Sequence, residues 1–184
     1  MRYRKPSAQW VSSHQWNVFT APVWPCEHAQ PKQCYSNVRE KVASDGGRRV
    51  DAWEIVELEG TFLQFRAHVL WQRPDDVIID ITPSEFGFDQ STCVRARAGF
   101  SLPLPPTRFV PLCEEPEISE LCLVETLAGQ IAHDCARGLV RSKHREAIGE
   151  ECRYRLWEIG QPDKELAEKL LRSVLTQLGR VIRY

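Results

Sequence analysis

Residues 61–82, Thr-Phe-Leu-Gln-Phe-Arg-Ala-His-Val-Leu-Trp-Gln-Arg-Pro-Asp-Asp-Val-Ile-Ile-Asp-Ile-Thr, constrain the fold more than any other stretch, because two strand-like runs meet there across a short polar turn. Leu63, Phe65, Ala67, Val69 and Trp71 alternate with Gln64, Arg66 and His68, and the return run sets Val77, Ile79 and Ile81 against Asp80 and Thr82. This period of two is that of a β-hairpin with one buried face. Arg73-Pro74-Asp75-Asp76 breaks the pattern, since proline fixes φ and aspartate bonds its own backbone.

Burying the odd-numbered apolar residues of both strands requires a loop of odd length, centred on Pro74 or on Asp75. The first choice sets His68 directly opposite Asp80. The second moves the pair to the adjacent diagonal on the same face, with Cβ atoms roughly 5 to 8 Å apart. Either register holds an imidazole beside a carboxylate, the arrangement that fixes a histidine's tautomer and stabilises its protonated form in nucleophilic catalysis.

Such a pair calls for a nucleophile, and Cys34 in Gln30-Pro31-Lys32-Gln33-Cys34-Tyr35-Ser36-Asn37-Val38 is the upstream candidate. Val38 and Val42 at i, i+4 with Glu40 and Lys41 predict a helix opening at Cys34, and Gly46-Gly47 supplies its stop. A thiol in the first turn meets the positive end of the helix dipole.

The order of helix-leading Cys34, a strand carrying His68 and the next antiparallel strand carrying Asp80 resembles the papain-like cysteine hydrolase superfamily, above all its transglutaminase-like and NlpC/P60-like branches. Ala67-His68-Val69-Leu70-Trp71 and Ile79-Asp80-Ile81-Thr82-Pro83 are similar to the His strand and the Asp-x-Thr strand end of transglutaminase-like domains. Tyr35 stands where the family commonly has Trp after the cysteine. The likeness covers residues 30–84. It implies an α+β fold, a papain-like/transglutaminase-like core in which a helix packs on a small antiparallel sheet, here followed by an α-helical C-terminal region. It also implies a catalytic triad of Cys34, His68 and Asp80, with an upstream glutamine as oxyanion donor. Gln30 and Gln33 are the candidates, Gln30 lying nearer the family's usual offset.

Elsewhere the chain is less patterned. Residues 1–33 read as an extended or looped lead-in whose Trp10, Trp16, Phe19 and Trp24 should be packed. Residues 50–58 read as a strand, completing a three-stranded meander with 61–72 and 77–82. Trp53 is expected to cover the sheet, and 83–116 reads as a long irregular stretch with a short strand near Phe109–Leu112. Three helices follow, at 117–141, about 143–159 and about 163–182. Two regions result: a thiol-hydrolase-like core over 1–116, and a helical region over 117–184 that is either separate or part of the same domain.

With 184 residues and a net charge of −1, nothing in the bulk electrostatics calls for nucleic acid or a membrane surface. No apolar run approaches a membrane span, and the basic start is not followed by a signal-peptide core. Seven irregularly spread cysteines suit free thiols in a cytoplasmic protein. The glycines form no phosphate loop or dinucleotide fingerprint, so no cofactor is expected. Cys113, Cys122, His133, Cys135, His144 and Cys152 read as packing or solvated residues.

The resulting expectation is a cysteine-dependent hydrolase or acyltransferase of the peptidase, amidase or transglutaminase-like kind, acting on a peptide or amide substrate. Two alternatives stand beside it. One is a non-catalytic interaction module on the same scaffold, with a protein partner held through 117–184. The other is a zinc-stabilised module using Cys26, His28, Cys34 and His68.

Overall fold

The computed structural model describes residues 3–6 and 17–137. Trp10, Trp16, His144, Cys152 and the helices expected at 143–159 and 163–182 lie outside the described residues. The chain divides into two compact units, 1–100 and 101–184.

In the first unit the expected meander is present. Strand β3 (Arg48–Leu58) pairs antiparallel with β4 (Phe62–Gln72) along its whole length, and β4 pairs with the short β5 (Ile78–Ile79). The β4–β5 register matches Trp71 with Ile79 and Gln72 with Ile78, so the turn is centred on Asp75. Arg73 N–H donates to Val77 O at 2.9 Å and Asp76 takes φ 67°, which closes the odd-length loop.

Two further strands complete the sheet. β2 (Val18–Pro22) pairs antiparallel with β6 (Gln90–Arg95), and β6 pairs with β3, giving the order β2-β6-β3-β4-β5. A short β1 (Tyr3–Arg4) adds to β3. The free side of β5 then returns to β2: Asp80 N–H donates to Pro22 O at 2.9 Å, and Trp24 N–H donates to Asp80 O at 2.8 Å. The sheet thus closes on itself, which satisfies edge groups that an open sheet would leave to solvent.

Helix α1 (Cys34–Asp45) starts and ends where the sequence predicts. Gly46 and Gly47 follow with φ 75° and 79°, and Gly46 N–H donates to Val42 O. A Cβ on Gly47 would come within 2.2 Å of Gln72 O, so the helix exit approaches the end of β4 as closely as glycine allows. Trp71 Nε1–H donates to Gly46 O at 2.9 Å and Lys41 lies over the Trp71 ring, which fixes this end of α1.

The second unit is described through α2 (Pro116–Ala136) and β7 (Arg108–Pro111). Phe109 N–H donates to Thr126 Oγ1 at 3.1 Å, and a Cβ on Gly129 would meet Pro106 at 3.2 Å, so the small residue lets α2 lie close to the preceding segment.

The expected architecture needs correction. Among the described residues the fold is mostly antiparallel sheet, with seven strands and two helices. It is not a papain-like/transglutaminase-like core of a helix packed on a small sheet with an α-helical C-terminal region. The reason lies in two segments. Residues 18–22 and 90–95, read from sequence as lead-in and irregular stretch, are strands, and they turn a three-stranded meander into a closed sheet.

Closure also changes which face is buried. The odd-numbered face of the hairpin is covered as expected at Leu63, Phe65, Val69, Trp71, Ile79 and Ile81, although Val77 is exposed. The other face is buried too. Ala21, Val50, Ala52, Leu70 and Cys93, with Phe19 and Ile78 packed against them, come from all five strands of the closed path and face a common interior. Phe19 is packed as expected, whereas Trp24 is exposed. Trp53 is half-buried and meets Phe100 edge-on at 5.3 Å.

Candidate active site

Alternation along the strands places His68 two residues from Leu70, Asp80 two from Ile78 and Ser91 two from Cys93, all directed to that interior. All three are buried. His68 Nε2–H donates to Asp80 Oδ2 at 2.8 Å, across the diagonal that the Asp75-centred register produces. Nε2 is committed to the carboxylate, and the Cys34 thiol stands close enough to the His68 ring to help raise its pKa. Of the three residues chosen from separate segments of sequence, His68 and Asp80 are joined by a hydrogen bond and Cys34 stands beside the ring.

The Asp80 carboxylate is held from three sides. Besides His68, Ser91 Oγ–H donates to Oδ2, and Thr82 N–H donates to Oδ1 at 3.0 Å. Burial works against a charged His68, but the Asp80 charge and hydrogen bond, the Cys34 hydrogen bond and the more distant Glu54 outweigh it, so the ring's pKa lies well above its ordinary value. For Asp80 burial likewise opposes ionisation, and His68, Ser91 and Thr82 together hold its pKa below the usual carboxylate value. The pair is an imidazolium beside a carboxylate.

Cys34 is the first residue of α1, after Gln33 with φ −113° and ψ 37°. No acidic side chain occupies the first turn, so nothing of negative charge competes there with an anion. Its placement depends on Asn37, one turn on and buried. Asn37 Nδ2–H donates to Gln30 O at 2.8 Å and to Thr82 Oγ1 at 3.1 Å, while Gln30 N–H donates to Asn37 Oδ1. One amide thus joins the loop before the thiol, the helix bearing it and the strand end after Asp80.

The glutamines sit differently from the triad. Gln30 is exposed and its Nε2–H donates to His28 O at 3.5 Å within its own loop, while its backbone serves Asn37. Gln33 is exposed at the N-cap position and makes no side-chain cap hydrogen bond. The zinc alternative is not supported: among the described residues no group of three or more His, Cys, Asp or Glu could hold a metal ion, so Cys26 and His28 do not gather with Cys34 and His68. His28 points into solvent from the turn that precedes α1.

Sequence reasoning missed Asn37, Glu54 and Ser91. Asn37 carried a signal, since i+3 from Cys34 is the same helix face. Glu54 is buried on β3 and paired with Arg66, whose Nη2–H donates to it at 2.7 Å; Arg66 also reaches Glu85, and Glu85 reaches Lys32 in the loop before Cys34. Ser91 lay in a strand that was not recognised. No protein-family model, curated protein or solved structure matches this chain.

Proposed function

We propose that the protein is a cysteine-dependent hydrolase or acyltransferase acting on an amide or related acyl bond. The observation that carries this reading is the buried hydrogen bond between His68 and Asp80, with the Cys34 thiol at the head of α1 beside the ring. A buried ion pair contributes little net stability over apolar packing of the same volume, because two charges must leave water. Such a pair next to a thiol at a helix start is better explained by chemistry than by folding.

In the proposed reaction the thiol proton is already held by the His68 imidazolium, on the ring nitrogen that Asp80 does not hold, and the Cys34 sulfur attacks the acyl carbon as the thiolate. The resulting oxyanion is stabilised by the Cys34 N–H, one of the helix-start donors without an intrahelical partner. His68 then gives its proton to the leaving amine, the C–N bond breaks, and an acyl thioester remains on Cys34. Water or an acceptor amine attacks that thioester with the neutral His68 taking its proton, and the C–S bond breaks to regenerate the Cys34 thiolate beside the imidazolium. Asp80 keeps the ring turned throughout and stabilises its charged form whenever it carries the proton. What links the chain to papain-like chemistry is the side-chain order, not the architecture. Cys26, Cys34, Cys93, Cys113 and Cys122 are free, the state this chemistry requires of Cys34 and a reducing compartment such as the cytoplasm maintains. Among the described residues no helix is long and apolar enough to cross a membrane.

The test uses p-nitrophenyl acetate as an acyl donor. The wild-type protein should release nitrophenol catalytically and gain one acetyl group on Cys34 by mass spectrometry. Cys34→Ala should lose about a thousandfold in rate with its circular dichroism unchanged. Equal rates for wild type and variant would refute the reading. A second reading, a non-catalytic interaction module with a partner on 117–184, draws on the small exposure of Cys34 (5%) and His68 (8%). It requires a stable complex that is lost when 117–184 is removed, and no acetyl adduct.

A further inference from the structure

On a flat sheet Ser91 and Asp80 would be too far apart to bond. They lie on β6 and next to β5, which on an open sheet are separated by β3 and β4, roughly 14 Å between backbones. Closure of the sheet leaves only β2 between them. Asp80 is tied to one side of β2 through Pro22 and Trp24, and Ser91 is paired with Ala21 on the other. Asp80 is bridged to Val23 and Ser91 is paired with Ala21 two residues before it, so the two lie on a diagonal across β2 where Ala21, fully buried, has only a methyl group to place in the interior. Ser91 Oγ–H thereby reaches Asp80 Oδ2, the same oxygen that accepts from His68 Nε2.

Resting on the function proposed above, we infer that Ser91 is a positioning residue for that reaction: its hydroxyl fixes Asp80 Oδ2 so that the carboxylate, in turn, holds the His68 ring toward Cys34. A carboxylate oxygen bonded by imidazole alone is free to rotate about χ2. Here Oδ2 is held by two donors and Oδ1 by Thr82 N–H, so rotation would break three hydrogen bonds at once. Serine suits the position because it donates one hydrogen bond at low volume. Alanine would leave Oδ2 without its second donor inside the closed sheet, where no solvent replaces it.

The other groups around the pair are accounted for. Cys34 on α1 stands beside the His68 ring; Glu54 on β3 adds negative potential and is itself neutralised by Arg66 on β4; and Cys93 on β6 is pushed well above the ordinary thiol value by burial and by Glu54 and Asp80, so it carries no charge near neutral pH. Ser91 is the group that acts on the carboxylate without altering the charge count.

Three variants of the full-length chain test the role: Ser91→Ala, Ser91→Cys and Ser91→Thr. Two readouts are used, the titration of the His68 ring by heteronuclear NMR and the pH profile of Cys34 alkylation by iodoacetamide, resolved by peptide mass. Ser91→Ala should move the His68 titration to lower pH and slow Cys34 alkylation at pH 7 by about fivefold to tenfold. Ser91→Cys, nearly isosteric and a weaker donor, should fall between, and Ser91→Thr should recover most of the wild-type profile. If Ser91→Ala does not fold, the Cys and Thr variants carry the test. Identical His68 titrations and alkylation profiles across the folded variants, with a reactive wild-type Cys34, would overturn the positioning role alone. A wild-type Cys34 that reacts no faster than the other thiols would overturn the function and this role with it.

Discussion

Two halves of one interior surface invite comparison. At one level Val50, Ala52, Leu70 and Cys93 pack with Ala21, Phe19 and Ile78. One alternation along the same strands, Leu70 gives way to His68, Ile78 to Asp80 and Cys93 to Ser91. Both levels are buried, and both follow from the same period of two. The apolar level is stabilised by removal from water, roughly 1.5 to 3 kcal/mol for each large side chain. The polar level must meet its own desolvation cost with hydrogen bonds, and those from His68, Ser91 and Thr82 converge on one carboxylate. Periodicity thus decides which residues face inward, while partner chemistry decides what they do there.

The sharpest way to separate the halves is His68→Ala. It should reduce acyl transfer to p-nitrophenyl acetate by about a thousandfold while folded protein is still recovered, since general acid–base groups contribute about 10² to 10⁴ in rate. A smaller loss than tenfold would mean that the polar half is not catalytic. Next in size is Asp80→Ala, which leaves an unpaired ring in the interior and should cost about 4 kcal/mol in urea unfolding. If it is stability-neutral, the pair is not buried as described.

Leu70→Ala tests the other half. It should destabilise by about 3 kcal/mol through a cavity in the apolar cluster, yet leave Cys34 alkylation of the folded protein within about twofold of wild type. A large loss of reactivity there would show that the two halves are coupled. Arg66→Met strips the partner from buried Glu54 and should cost about 2 kcal/mol, measured in the same urea series.

The smallest expected effect is on the pH dependence of stability. His68 is raised from 6.5 in the fold, so its contribution is complete below that pH and is lost as pH climbs through the higher folded value. Asp80 is lowered from 3.8, so its contribution is complete above that pH and is lost as pH falls through the lower folded value. The pair should therefore stabilise fully between about pH 3.8 and 6.5. In Asp80→Asn the difference from wild type should be greatest inside that window. A difference that does not vary with pH would contradict the ionic description.

Much of the site was legible because its residues sit in strong local patterns. The hairpin alternation placed His68 and Asp80 on one face, parity restricted the turn to two centres, and Gly46-Gly47 after an i, i+4 valine pair fixed α1 with Cys34 at its head. The closed sheet was not legible. β6 presents Ser91 and Cys93 inward, small residues with too little apolar contrast against Thr92 and Val94 to show a period. β2 ends in Pro22, which reads as a loop signal, yet its carbonyl is what accepts from Asp80. Closure depends on a bridge between segments far apart in sequence, and no local window contains it. The helix-on-sheet expectation failed for that reason, although the His68–Asp80 pair it placed on one face is joined by a hydrogen bond.

The most direct measurement is a rate of iodoacetamide alkylation at pH 7 for each cysteine of the native protein, resolved by peptide mass. Two internal standards are built in: Cys122, pushed up to about 11 by burial, and Cys93, pushed well above its ordinary value by burial and neighbouring carboxylates. The thiol at the head of α1 should react at least about tenfold faster than either, and His68→Ala should remove that advantage. Alkylation of Cys34 at the rate of Cys93 or Cys122, or an advantage that survives loss of the imidazole, would contradict the account.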